Sequence, residues 1–271
     1  MTEFRFRRVV IACDSVGENR PGIETAARLA ALWEAALHGV FVQDEALLYL
    51  AALPFARHVG PTGEIAQEQD ESAVLVHFET RASSARALIE AAARRHELGW
   101  SFDVVRGQAA LARLELSEED LLVVEATSRP FAGEFRLDSR LLQAAFEAHR
   151  PLLLVRNPAR AKTGVVAYAQ QPMEAARRII AAAARLALAA EGDFTVLLTA
   201  GVSPEEARKT VGTVSARLAA RCRIEPQGEA KLPLLAGAGS LLVVDADPAV
   251  NDAAALKSLV AVSKADILFL R

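Results

Sequence analysis

Two short strings, LLVVEA at 121–126 and LLVVDA at 241–246, constrain this chain more than any other feature. Each is an apolar run closed by an acid. Each is followed later by a second apolar run that ends its stretch of sequence, PLLLVR at 151–156 and DILFLR at 266–271. One four-residue apolar match can arise by chance. The match, the trailing acid and the same order of elements together indicate an internal repeat, and a repeat sets the fold before any local reading does.

The elements around these strings alternate. In the first copy, Val9–Cys13, Val40–Val42, Ser101–Arg106, Asp120–Val124 and Pro151–Val155 read as strands. The helical pattern falls on 21–37, 68–98 and 139–149, with His38-Gly39 expected to end the first helix. In the second copy, strands are expected at Gly164–Tyr168, Phe194–Leu198, Cys222–Glu225, Leu241–Val244 and Ile267–Leu270, with helices over 172–190 and 203–220. Alternation of this kind gives parallel strands with crossover helices. Strands this uniformly apolar are covered on both faces. The expected architecture is α/β: two tandem open parallel-sheet domains of Rossmann type, similar to the adenine nucleotide alpha hydrolase-like fold, over 1–157 and 163–271. The second is shorter by about 40 residues, since Asp14 lines up with Ala169 and Leu152 with Ile267. The terminal strands 151–155 and 266–270 are expected to cover each other's edges, making the chain an intramolecular pseudo-dimer. A further homodimer is left open.

Charge excludes some functions. A formal net charge of -3 argues against a nucleic-acid partner, which calls for a basic excess. The FRFRR opening is read as a solvated flank. No apolar run is long enough to cross a membrane, since the alanine-rich stretch 179–190 is short and holds Arg185. With no export signal and two cysteines, Cys13 and Cys222, in no paired pattern, a cytoplasmic location is expected, with both thiols in the core.

The order of elements, with Asp14 closing the first strand, resembles the universal stress protein family, in a tandem two-domain form. Nucleotide-binding members of that family carry G-x2-G-x9-G-[ST] after the fourth strand, where backbone N–H groups approach phosphates. The corresponding positions here are Glu125, Ser128, Asp138 and Ser139, so all three glycines are replaced, two of them by acids. Like charges about 4 Å apart repel by roughly 4 kcal/mol even at an effective dielectric of ~20. The second copy has no glycine in DADPAVND at 245–252, and Ala169 stands where Asp14 would recur. The resemblance therefore implies a stress-response or regulatory binding protein that acts through protein contacts or a non-nucleotide small ligand, with no cofactor. The alternative is a sensor that holds ATP or AMP weakly in the first domain through Asp14, Val42 and Ser139.

Asp14, Glu125, Thr127 and Ser128 stand at or just after strand ends, where open α/β sheets bind ligands. They form either a small-molecule pocket or solvated acids capping the next helix. Catalysis is not expected. Ser15, Ser128 and Ser139 lie in no G-x-S-x-G, and a nucleotide-hydrolysing enzyme needs a phosphate loop that the sequence lacks. His38, His58, His77, His96 and His149 offer no metal-ligand spacing. The 44–66 segment, with Leu47, Leu48, Tyr49, Leu50, Leu53 and Phe55, either covers the sheet or faces a partner.

Overall fold

The computed structural model describes residues 6–13, 20–52, 58–59, 65–66, 71–107, 116–125, 150–156, 164–226, 240–247, 251 and 253–270. The helix expected over 139–149 lies outside these. The described residues divide into two compact units, one built on 6–120 and the other on 121–125 and the described residues from 150 on.

The first of these units holds strands β1 (Arg8–Cys13), β2 (Ala36–Gln43) and β5 (Trp100–Arg106), with helices α1 (Arg20–Leu32), α2 (Glu45–Ala51) and α3 (Glu71–Arg95). A two-residue pair, β3 (His58–Val59) and β4 (Ile65–Ala66), lies between α2 and α3. β2 is central and runs parallel to β1 and β5. Ile23, Ala26, Ala27 and Ala30 are the buried stripe of α1, and Phe78, Ile89 and Ala93 are buried on α3.

The other unit carries β6 (Asp120–Glu125), counted from Leu121, and β7 (Leu152–Val155). It also carries β8 (Gly164–Ala169), β9 (Asp193–Leu198), β10 (Arg223–Pro226), β11 (Ser240–Asp245) and β12 (Asp266–Leu270). Its helices are α4 (Met173–Ala189), α5 (Pro204–Val214), α6 (Ala216–Arg221) and α7 (Ala253–Val262). The strand order is β10-β9-β8-β11-β12-β7-β6. Every neighbouring pair is parallel except β12 and β7, which are antiparallel with Leu268 opposite Leu153. The pairing expected between the two terminal strands is therefore present. Ala176, Ile179, Ile180, Ala183 and Ala187, the expected apolar stripe of α4, are all fully buried.

Three boundaries differ from the sequence reading, each for a local reason. α1 stops at Leu32 rather than near 37, and Leu37 lies in β2. Ala35 N–H reaches Ala30 O at 2.8 Å and Glu34 N–H reaches Ala31 O at 3.3 Å, with Glu34 at φ 52°. This is the left-handed exit usually made by glycine. α3 and α4 leave the same way through Glu97 (φ 56°) and Glu191 (φ 50°), so the first helices of the two repeats share an exit that the letters do not advertise. The single helix expected over 203–220 is two, because Ser215 takes extended geometry (φ -159°) and its hydroxyl accepts from Leu218 N–H, capping α6.

The third difference is Gly39. It does not stop a helix; it lies inside β2 opposite Phe102. A Cβ there would collide with Ile89 Cδ1 and stand 2.8 Å from Phe102 Cδ2. Glycine is what lets α3 lie this close to the strand. Gly39→Ala should destabilise the chain by about 1–3 kcal/mol through overpacking. Ile89→Val, which removes the clashing Cδ1, should recover part of that loss in the double variant, as read by chemical denaturation. Strictly additive losses would show that the two positions do not press on each other.

Candidate functional site

Of the six residues singled out from the sequence, Asp14, Thr127, Ser128 and Ser139 lie outside the described residues, as does Asp138. Val42 is buried near the carboxyl end of β2, opposite Val105. Glu125 is the half-buried last residue of β6, opposite Val155. These two belong to different compact units, and each is placed only within its own.

In the second repeat more of the strand-end region is described. β8 is followed by a crossover through α4 to β9 on one side, and its other neighbour is β11, so the strand order reverses between β8 and β11. Open α/β sheets bind ligands at the carboxyl ends of strands at such a reversal. Ala169 closes β8 and is fully buried, and its carbonyl accepts the Thr199 N–H at 3.1 Å. Asp245, the repeat counterpart of Glu125, closes β11 and is 1% exposed. Burial of a carboxylate demands compensation, and both oxygens have it. Oδ1 accepts the Asp247 N–H at 2.8 Å, and Oδ2 accepts from Arg178 Nη2 at 2.6 Å. Arg178 projects from the second turn of α4, which packs on β8, β9 and β11. Asn251 donates through Nδ2 to the Asp245 carbonyl at 2.7 Å and to Gln170 Oε1 at 2.6 Å, tying the two strand ends together. Gln171 donates to the carbonyl of Gly201.

The chemistry of this arrangement is that of a lock. A buried acid is held there by a guanidinium from the adjoining helix, and among the described residues that follow it the N–H groups of Ala246, Asp247 and Asn251 are bonded within the chain. Sequence reasoning missed Arg178 and Asn251. Arg178 lies 67 residues from its partner in the chain, and no motif links the two.

A second polar cluster lies in the unit built on β1, β2 and β5. Arg8 Nε and Nη2 meet Asp120 Oδ1 and Oδ2 at 3.1 and 2.6 Å, and Asp120 also accepts the Ser117 N–H at 2.7 Å. Burial pushes the Asp120 carboxyl up, but the Arg8 and Ser117 hydrogen bonds outweigh it and hold the group below its ordinary value. Nearby, His38 is 5% exposed, with Nδ1 at 2.7 Å from Ser101 Oγ and Nε2 at 3.5 Å from Asp103. Burial lowers its pKa, helped by the charge of Arg8 and opposed by Asp103 and Asp120. Among the described residues no group of three or more His, Cys, Asp or Glu side chains could hold a metal ion. No described helix is long and apolar enough to cross a membrane. Cys13 and Cys222 are both buried thiols, as expected.

No protein-family model matches the chain, and no curated protein matches it. Solved structures do. A putative universal stress protein from Pseudomonas aeruginosa UCBPP-PA14 is similar over 98% of this chain and 93% of its own, with a TM-score of 0.60 at 15% identity. A universal stress protein from Archaeoglobus fulgidus DSM 4304 is similar over 99% of both chains, with a TM-score of 0.60 at 8% identity. A functionally unknown protein from Pseudomonas aeruginosa PAO1 gives 0.60 at 15% identity, over 98% and 92%. Across its length the chain is thus similar in fold to universal stress protein structures.

His38 gives the fold a pH signature. Its folded pKa is lowered below the ordinary 6.5, so the unfolded chain binds the proton first. Stability should be full above about pH 6.5 and should fall as pH drops from there through the folded value. The Asp120 contribution is lost only at lower pH, since it is present above the ordinary value of 3.8 and disappears as pH falls through the depressed one. Thermal unfolding of His38→Asn between pH 7 and 5 should show a shallower slope than the unmodified chain. Equal slopes would contradict this role.

Proposed function

We propose that this chain, which shares the fold of universal stress protein structures along its length, is a stress-response or regulatory binding protein. In this reading it works in the cytoplasm through protein contacts or a non-nucleotide small ligand, catalyses no reaction, and uses neither nucleic acid, membrane nor a nucleotide cofactor. The observation that carries the reading is the state of Asp245. The acid that ends the fourth strand of the second repeat is 1% exposed and already bound by Arg178. Among the described residues this strand end presents a carboxylate already bound within the chain, which disfavours a phosphate there. In the first repeat the corresponding residue is Glu125, again an acid where nucleotide-binding relatives would need glycine.

The fold itself supports many functions, so the site decides. A nucleotide sensor needs backbone N–H groups open to a polyanion. Carboxylates at both fourth-strand ends oppose that need through charge and through bulk. Regulation through contacts needs neither loop nor catalytic group, and it suits a chain whose terminal strands β7 and β12 already pair with each other.

Calorimetry with ATP tests the reading. The unmodified chain should show no binding at sub-millimolar ATP. The triple variant Glu125→Gly, Ser128→Gly, Asp138→Gly should gain measurable affinity, because it removes two acids and restores the glycines. Gain of binding cannot be mimicked by unfolding. Tight ATP binding by the unmodified chain would favour the sensor instead. A folded triple variant that stays silent would show that these three positions are not what excludes the nucleotide.

A further inference from the structure

We infer that the crevice at the carboxyl ends of β8 and β11 is a guanidinium-recognition site, occupied in cis by Arg178. The inference concerns the second repeat and stands apart from whatever the first repeat binds. The acceptor is built by backbone. Asp245 is 1% exposed, its Oδ1 is fixed by the Asp247 N–H at 2.8 Å, and its own carbonyl is fixed by Asn251 at 2.7 Å. That leaves Oδ2 as the oxygen that faces a cation, and Arg178 Nη2 meets it at 2.6 Å. The occupant is less well served than the acceptor. Arg178 Nε is buried and has no hydrogen-bond partner among the described residues. A guanidinium bonds a carboxylate best through two parallel N–H groups, and an unsatisfied buried donor is costly. The tether from α4 lets Arg178 reach with Nη2 alone.

A free guanidinium, released from that tether, can turn to present two N–H groups to the same carboxylate. The Arg178 side chain is 36% exposed, so removing it opens its place to solvent. The ligand class is therefore a small planar cation bearing a guanidinium or amidinium group. An ammonium is a poorer fit because it lacks the planar fork.

Arg178→Ala uncovers the site, and methylguanidinium is the probe. Removing one partner of a buried pair is strongly destabilising, and with a partly exposed arginine the melting temperature should fall by about 5–10 °C. Millimolar methylguanidinium should restore at least half of that loss with saturation. Methylammonium at equal ionic strength should restore little. Adding Asp245→Asn should abolish the rescue. Equal effects of the two cations, or rescue that survives Asp245→Asn, would overturn the assignment. A measurement on the unmodified chain covers the case in which the variant does not fold. In 15N NMR the Arg178 guanidinium should rotate slowly and its Nε–H should exchange slowly. A guanidinium rotating and exchanging like an exposed arginine would also overturn it.

Discussion

The antiparallel pairing of β7 with β12 is the contact on which the longer sheet depends. β6 and β7 form one parallel group, and β8 to β12 form another. Each ends on a strand whose residues are all buried, LLLV in one case and DILFL in the other. A strand of that kind cannot stand at an edge in water. Pairing Leu152, Leu153 and Leu154 with Phe269, Leu268 and Ile267 hides both edges at once. Arg156 fastens the joint. Its backbone N–H donates to Asp266 Oδ1 at 2.7 Å, and its guanidinium donates to the carbonyls of Ser263 and Val260 at the end of α7. Burial lowers the pKa of this arginine while Asp266 raises it, and the helix carbonyls it meets carry partial negative charge.

The joint leaves the carboxyl strand ends free to carry function, and the chain spends the second of them on an internal ion pair. A ligand crevice in a parallel sheet exists because helices cross in opposite directions from adjacent strands. That geometry survives at β8 and β11. What changes is the filling: Arg178 from one side, Asn251 and Gln170 across the top, and Asp245 beneath. Polar groups that would face a ligand face each other. Under the proposed function, the fold is kept while phosphate chemistry is set aside.

The parts legible in the sequence were those governed by periodicity. Apolar runs five or six residues long, alternating with alanine-rich helical stripes, gave the parallel α/β architecture and the repeat. The paired strings at 121–126 and 241–246 gave its register. Three features were not legible because they depend on contacts between distant residues or on backbone angles. Gly39 looked like a helix stop, yet it is a strand glycine whose reason is Ile89, fifty positions on. Glu34, Glu97 and Glu191 end helices in a conformation for which glutamate carries no signature. Arg178 gave no local sign of the buried acid it serves. The candidate site was legible as a place, the strand ends, and in one acid, Glu125; Asp245 was legible only as the trailing acid of the repeated string. It was not legible as an assembly.

Central to the proposed function is a chain that keeps the fold without carrying an adenine nucleotide. Native mass spectrometry of the chain, purified gently and without added nucleotide, tests that claim most directly. The expected mass is that of the bare protein, or of the protein with a non-nucleotide ligand. A stoichiometric adduct that releases ATP or AMP on denaturation would contradict it.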